Sequence, residues 1–310
     1  MKASGTQMPA GAREGEGLRA LVTGLRGFTG VHMERELAAA GYQVAGTAMP
    51  GGASGPGLFP VDLCDRKAVS AMIEQVQPDV VVHLAGIAQV EHGDADQIYR
   101  VNVVGTRNLL QSLAGLRRRP SAVLLASSAN IYGNAGVPVI DESVAPAPAN
   151  DYAVSKLAME YMARLWMDRL PLIIARPFNY TGRGQSEHFL LPKIVEHFRR
   201  RAPAIELGNL NIARDFSDVR MIAHSYRRLL AAAPAGETFN ICSGSSHSLA
   251  SVIDMVAEIA GYRIDVRVNP AFVRANDVLT LTGDNTRLAQ AIGPLQIRPL
   301  SETLRWMLED

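Results

Sequence analysis

Leu18-Arg19-Ala20-Leu21-Val22-Thr23-Gly24-Leu25-Arg26-Gly27-Phe28-Thr29-Gly30 decides the reading of this 310-residue chain. Leu18 to Val22 is a short, mostly apolar run, a helical pattern follows from Phe28 to Ala40, and Tyr42 to Thr47 reads as another strand. Between the first strand and the helix stand Gly24, Gly27 and Gly30. Without Cβ atoms they let backbone come close to a phosphate, and the helix they open turns free N–H groups toward it. A plain glycine turn would use the same residues, but the strand before and the helix after are what phosphate cradling requires. Further strand candidates at Val80 to Leu84, Ala122 to Ala126 and Leu172 to Ala175 alternate with helical stretches near 66–77, 95–116 and 151–169. That rhythm predicts an α/β fold with a Rossmann-type, doubly wound parallel sheet, its ligands at the carboxyl ends of the strands.

After Pro177 the rhythm loosens, with helices expected near 192–200, 248–260 and 301–308 and a strand around Thr238 to Ile241. The organisation expected is a disordered arm over 1–17 and a dinucleotide-binding domain over 18–176, with return segments near 210–245. A smaller, partly interleaved substrate-binding region then occupies most of 177–310. Apart from the arm, only the Gly/Ala/Pro tract at 48–60 reads as low-complexity loop.

Composition excludes several classes. Apolar residues make up 47% and charged residues 20%, ordinary for a soluble enzyme, and 31 basic against 30 acidic residues leave no global field to draw nucleic acid. Arg117-Arg118-Arg119 and Arg199-Arg200-Arg201 read as solvated helix ends, with an anionic ligand near the second cluster the alternative. Cys64 and Cys242 are far apart and the seven histidines lack ligand spacing, so neither a metal nor a disulfide is expected. No stretch of 18 uncharged apolar residues occurs, and the first 17 residues lack the apolar run of a signal peptide; no membrane is expected, and the localisation expected is cytoplasmic.

Tyr152-Ala153-Val154-Ser155-Lys156 carries the chemistry. Residues four apart share a helix face, so the Tyr152 phenol and the Lys156 ammonium reach one cleft, a proton donor beside a charge. Alone, such a pair is an ordinary surface feature; after a dinucleotide-type loop and a strand ending Ala126-Ser127-Ser128 it reads as catalytic. Asp62-Leu63 would meet the adenine and Leu84-Ala85-Gly86 would line the cofactor's path. Where an NAD-selective fold commonly places a carboxylate for the ribose, this chain has Gly46-Thr47-Ala48-Met49-Pro50. Arg26 in the loop suits a 2′-phosphate instead, so NADP(H) is favoured, with NAD(H) the alternative.

With these motifs the chain resembles the extended short-chain dehydrogenase/reductase family over about residues 18–300, and within it the GDP-sugar branch. That resemblance rests on Ala175-Arg176-Pro177-Phe178-Asn179 with Gly182-Arg183-Gly184-Gln185, on Leu207-Gly208-Asn209-Leu210-Asn211-Ile212-Ala213-Arg214-Asp215-Phe216, and on Arg274-Ala275-Asn276-Asp277-Val278. It implies that Asn179, Lys193, Arg214 and Arg274 hold the diphosphate and guanosine of a GDP-linked hexose, with Asp277 accepting hydrogen bonds nearby. It further implies that Ser128 polarises a sugar ketone, that Lys156 binds the nicotinamide ribose and lowers the Tyr152 pKa, and that helices matching 95–116 and 151–169 pair across a twofold axis in a homodimer. The family's dehydratases resemble one another in placing Glu two residues before the tyrosine matching Tyr132; this chain has Asn130, and a carboxamide shuttles no proton in the working pH range. The resemblance therefore implies reduction of GDP-4-keto-6-deoxy-mannose to GDP-rhamnose or GDP-6-deoxy-talose. A nucleotide-sugar 4-epimerase with tightly bound NAD is the alternative, and a non-catalytic nucleotide sensor would have no need of Ser128, Tyr152 and Lys156 together.

Overall fold

Strands covered on both faces read as near-continuous apolar runs rather than alternating ones, and the chain up to Pro177 supplies several such segments. The computed structural model describes residues 13–52, 54–88, 94–272 and 280–309. The first half runs β1 (Arg19–Thr23), α1 (Phe28–Ala39), β2 (Gln43–Ala48), β3 (Leu58–Pro60), α2 (Arg66–Val76), β4 (Val80–His83) and α3 (Ala95–Tyr99), then a π-helical turn over Arg100–Gly105. It continues with α4 (Thr106–Gly115), β5 (Ala122–Ala126), a short 3-10 turn over Ala129–Tyr132, α5 (Asp151–Arg164) and β6 (Leu172–Pro177). The second half comprises β7 (Asn179–Thr181), α6 (Leu190–Arg199), β8 (Ala204–Leu207), β9 (Ala213–Asp218), α7 (Val219–Ala232) and β10 (Thr238–Ile241). After these come β11 (Ser246–Ser248), α8 (Leu249–Ala260), β12 (Asp265–Val268), β13 (Thr280–Leu281), α9 (Thr286–Ile292) and α10 (Leu300–Leu308).

Seven parallel strands form the main sheet in the order β3-β2-β1-β4-β5-β6-β10. Side chains alternate across it. Ala20, Val22, Val82 and Leu124 face a core completed by Met33 and Leu37 of α1 and Ile222 and Tyr226 of α7, whereas Leu21, Val81 and Val123 face Val69, Ile73, Leu109, Leu113 and Met159 of α2, α4 and α5. The chain's winding reverses between β1 and β4, and in such sheets that switch point opens a crevice at the carboxyl ends of the strands. A second layer packs α6, α8 and α10 around Ile194, Phe198, Val252, Val256 and Leu304. It carries a small sheet in which β9 pairs with β7, β11 and β13, and a two-stranded pairing of β8 with β12.

Several expectations need correction. The tract at 48–60 is not all loop: its last residues, Leu58–Pro60, pair with β2 as the sheet's edge strand. The helix expected over 95–116 is three pieces, and α5 gives way at Leu165 to tightened turns in which Leu165, Trp166 and Met167 donate back three residues. The return to the main sheet is narrower than 210–245: α7 and β10 return, while β9 belongs to the small sheet. Within the expected disordered arm, Glu14 accepts from Arg227 of α7 and from the Tyr42 hydroxyl, so residues 13–17 are tied to the body; residues 1–12 lie outside the described residues.

Candidate active site

The glycine turn is built as its residue types demand. Gly24 sits at φ +72°, where a side chain is strained, and a Cβ there would lie 3.1 Å from the Ala85 backbone; one on Gly30 would lie 2.3 Å from the Gly24 carbonyl oxygen. Gly27 is the extended N-cap residue of α1 and gives it no side-chain cap, so the helix's first turn, with Phe28 and Thr29, keeps its N–H groups for a ligand. On the facing loop Leu84 and Ala85 donate to the Thr23 carbonyl and hydroxyl, and Gly86 lies where a Cβ would meet Asn102 Oδ1 at 2.9 Å and Lys156 Nζ at 3.4 Å. A cradle that Cβ atoms would fill, opposite a helix start without a cap, fits the diphosphate of a dinucleotide. Asp62 follows β3 and uses one carboxylate oxygen for the Cys64 N–H, and Leu63 beside it is buried. Arg26 pairs with Glu34 at 3.0 Å on the exposed flank of α1.

Ser128, Tyr152 and Lys156 come together. Ser128 follows β5 and caps the short 3-10 turn by accepting from the Asn130 N–H, while α5, capped by Asn150, carries Tyr152 in its first turn and Lys156 one turn on. The Tyr152 phenol lies close to the Ser128 hydroxyl. Burial pushes that phenol up to about 12, against the neighbouring Ser128 hydroxyl, which lowers it. Desolvation sets the direction of the shift in the resting protein, where Lys156 donates to the Ala126 carbonyl at 2.8 Å, so the expected lowering by Lys156 does not show in the resting phenol. Lys156 is itself pulled down to about 8 by burial, with Glu160 opposing.

Asn102, in the π-helical turn, is a residue the sequence reading missed. Its amide accepts from the Ile87 N–H and donates to the Ile87 carbonyl and to Ser155 Oγ, and Ser155 in turn donates to the Tyr152 carbonyl. Beneath it His83 bonds Thr23 through Nδ1 and Thr106 through Nε2, and burial holds its pKa down at about 3, so it is neutral. Since the Thr106 hydroxyl donates to the Asn102 carbonyl, His83 donates from Nε2 and accepts at Nδ1 from Thr23. A second missed group lies behind Ser128. Glu160, one turn beyond Lys156, accepts two guanidinium bonds from Arg176 of β6 and one from Ser127 Oγ; Arg176 also donates to the Tyr132 hydroxyl, which donates to Asn240 of β10. No spacing rule reaches partners so far apart in sequence; Arg176 entered only through the resemblance, with no partner named.

The expected substrate residues divide. Asn179 begins β7, which follows β6 and pairs with β9, and among the described residues its buried Nδ2 has no hydrogen-bond partner. Arg214, in β9 opposite His247, donates to the Ala213 carbonyl, and Lys193 of α6 donates to the Glu206 carbonyl beneath the Phe272 ring. Arg274 and Asp277 lie outside the described residues. Asp215, quoted only as part of a motif, is fully buried and accepts from the Ser243, Gly244 and Gly283 N–H groups, tying the loop after β10 to β9.

A phosphate cradle at the switch point of a parallel sheet, with a buried phenol and lysine beside it, defines an NAD(P)-dependent oxidoreductase of the short-chain type. The chain belongs to the NAD dependent epimerase/dehydratase family, whose model matches residues 20–242. GDP-6-deoxy-D-talose 4-dehydrogenase of Aggregatibacter actinomycetemcomitans is 33% identical, covering 89% of this chain and 92% of that protein. GDP-6-deoxy-D-mannose reductase of Pseudomonas aeruginosa is 32% identical over 94% and 96%. Both bear out the resemblance to the GDP-sugar branch. The structure of RMD from Pseudomonas aeruginosa complexed with NADPH superposes with a TM-score of 0.83 at 31% identity, covering 94% of this chain and 98% of that one. A crystal structure from Burkholderia cenocepacia J2315 superposes at 0.91 with 57% identity over 95% and 98%.

Proposed function

We propose that this enzyme reduces the 4-keto group of GDP-4-keto-6-deoxy-mannose, giving GDP-rhamnose or GDP-6-deoxy-talose according to the face attacked. The observation that carries the reading is the Tyr152 phenol, buried, protonated across the working pH range and close to Ser128, which follows β5. When bound, the reduced nicotinamide supplies the hydride. Ser128 and Tyr152 then hold the ketone oxygen, and Tyr152 gives it a proton, while the Lys156 ammonium stabilises the phenolate left behind. Gly24, Gly27 and Gly30 with the first turn of α1 hold the diphosphate; Asp62 and Leu63 meet the adenine, and Leu84, Ala85 and Gly86 border the remaining path. Asn179, Lys193 and Arg214, with Arg274 and Asp277, take the sugar nucleotide, so the seven-stranded layer serves the dinucleotide and the second layer the substrate. Asn130, at the start of the turn after Ser128, leaves that position without a carboxylate, which favours reduction over dehydration.

NADP(H) is the preferred cofactor in this reading: Ala48 at the end of β2 and Met49 and Pro50 after it offer no carboxylate to a ribose, the Arg26–Glu34 pair is exposed and exchangeable, and the RMD relative binds NADPH. The enzyme works in the cytoplasm as a homodimer formed through α4 and α5. Mixing purified protein with NADPH and GDP-4-keto-6-deoxy-mannose under single-turnover conditions tests the assignment. Stoichiometric loss of nicotinamide absorbance with a GDP-6-deoxyhexose product supports it, and the product's configuration fixes the face of attack. Binding of both ligands without oxidation refutes it and favours the epimerase alternative, which would retain NAD through purification.

A further inference from the structure

The start of α1 is held by the segment that carries Asn179. Thr29, in the uncapped first turn, bonds the Tyr180 hydroxyl at 2.8 Å instead of turning to its own helix. Phe28 stacks on the same ring, centroids 5.9 Å apart and planes within 14°. One turn on, His32 meets Phe28 edge-on at 5.6 Å and donates from Nε2 to the Arg183 carbonyl at 3.0 Å. Three side chains of the helix whose N-terminus faces the cofactor diphosphate thus grip residues 180–183, and Tyr180 is the neighbour of Asn179, whose buried Nδ2 lacks a partner among the described residues. Tyr180 is partly buried, and desolvation raises its phenol, so it stays neutral and able to donate.

We propose that Tyr180 is a positioning residue that couples the two ligands: a dinucleotide fixing the first turn of α1 fixes Thr29, the Thr29–Tyr180 bond fixes β7, and Asn179 is thereby set for the sugar nucleotide. This rests on the reading of the two sites given above. Coupling is reciprocal, so it is measurable from either ligand, and a neutral hydroxyl pair of this kind carries about three- to ten-fold in affinity.

Isothermal titration of GDP, UDP and dTDP into the full-length protein, with and without saturating NADPH, tests the proposal in wild type, Thr29→Val, Tyr180→Phe and the double variant. NADPH is expected to tighten nucleotide binding in wild type. Each single variant should lose about three- to ten-fold of that tightening while affinity without NADPH stays near wild type, and the double variant should lose no more than either single. Equal tightening in all four proteins, or losses that add in the double variant, overturns the coupling. A preference for UDP or dTDP refutes the GDP assignment while the coupling is still read with the base that binds; binding of none of the three refutes both.

Discussion

At the residue scale the chemistry turns on two buried groups with opposite shifts. Tyr152→Phe keeps the ring and loses only the proton, so turnover should fall by about 10²- to 10⁴-fold while NADPH still binds, as fluorescence titration would read. The pH dependence follows from Lys156. Burial lowers it to about 8 and raises Tyr152 to about 12, so below pH 8 the free enzyme holds a charged lysine beside a protonated phenol, and above it the lysine loses its charge first. The profile of kcat/KM for reduction should be level near neutrality and descend above about pH 8; a level profile to pH 10 would remove Lys156 from the mechanism. Tyr152 and Lys156 were legible because a helix turns their spacing into a shared face. Their pKa values were not, because pair spacing says nothing of desolvation, and here burial sets the direction of both shifts. Asn102 and Tyr180 were equally hidden: each owes its place to partners brought near only by the closed fold, Ile87 and Ser155 for one and Thr29 for the other.

At the element scale, β1, α1, β4, β5 and β6 were readable from apolar runs and glycine positions, since strands buried on both faces have little freedom in composition. Edge strand β3 was not: three residues, one face exposed and a closing proline give it little apolar signal. The break in the helix over 95–116 was also silent, because Asn102 is drawn out of the regular ladder by bonds to a loop and to α5 rather than by any residue that opposes helix. What fixes α5 against β5 and β6 is the Glu160–Arg176 pair, with both side chains no more than 4% exposed. Glu160→Ala leaves a buried guanidinium unpaired and should cost about 3–5 kcal/mol, seen as a lower midpoint in urea unfolding. Replacing both residues with Met should recover much of that loss. If Glu160→Ala unfolds at the wild-type midpoint, the pair does not hold the catalytic helix.

At the scale of the whole molecule, the two layers leave one helix face without cover from either among the described residues. Val154, Tyr161 and Leu165 are 37%, 57% and 80% exposed and recur at intervals of seven and four along α5 and its end, which places them on one stripe; Val104, 45% exposed, lies on the π-helical turn that packs against the same helix. Single exposed apolar residues need no explanation, but a stripe of them on the helix that also bears Tyr152 and Lys156 does. The homodimer proposed above supplies it, because a twofold axis laid on this stripe sets each residue against its equivalent and buries both copies at once. Tyr161→Glu with Leu165→Lys introduces charges that a closed apolar interface would have to desolvate, whereas a monomer would leave them in water at little cost. Sedimentation velocity should therefore show a dimer for wild type and a monomer for the double variant at the same concentration. The variant monomer should also be less active, since α5 positions the acid and the lysine; a wild-type monomer, or a variant that sediments as a dimer, would place the contact elsewhere on the molecule.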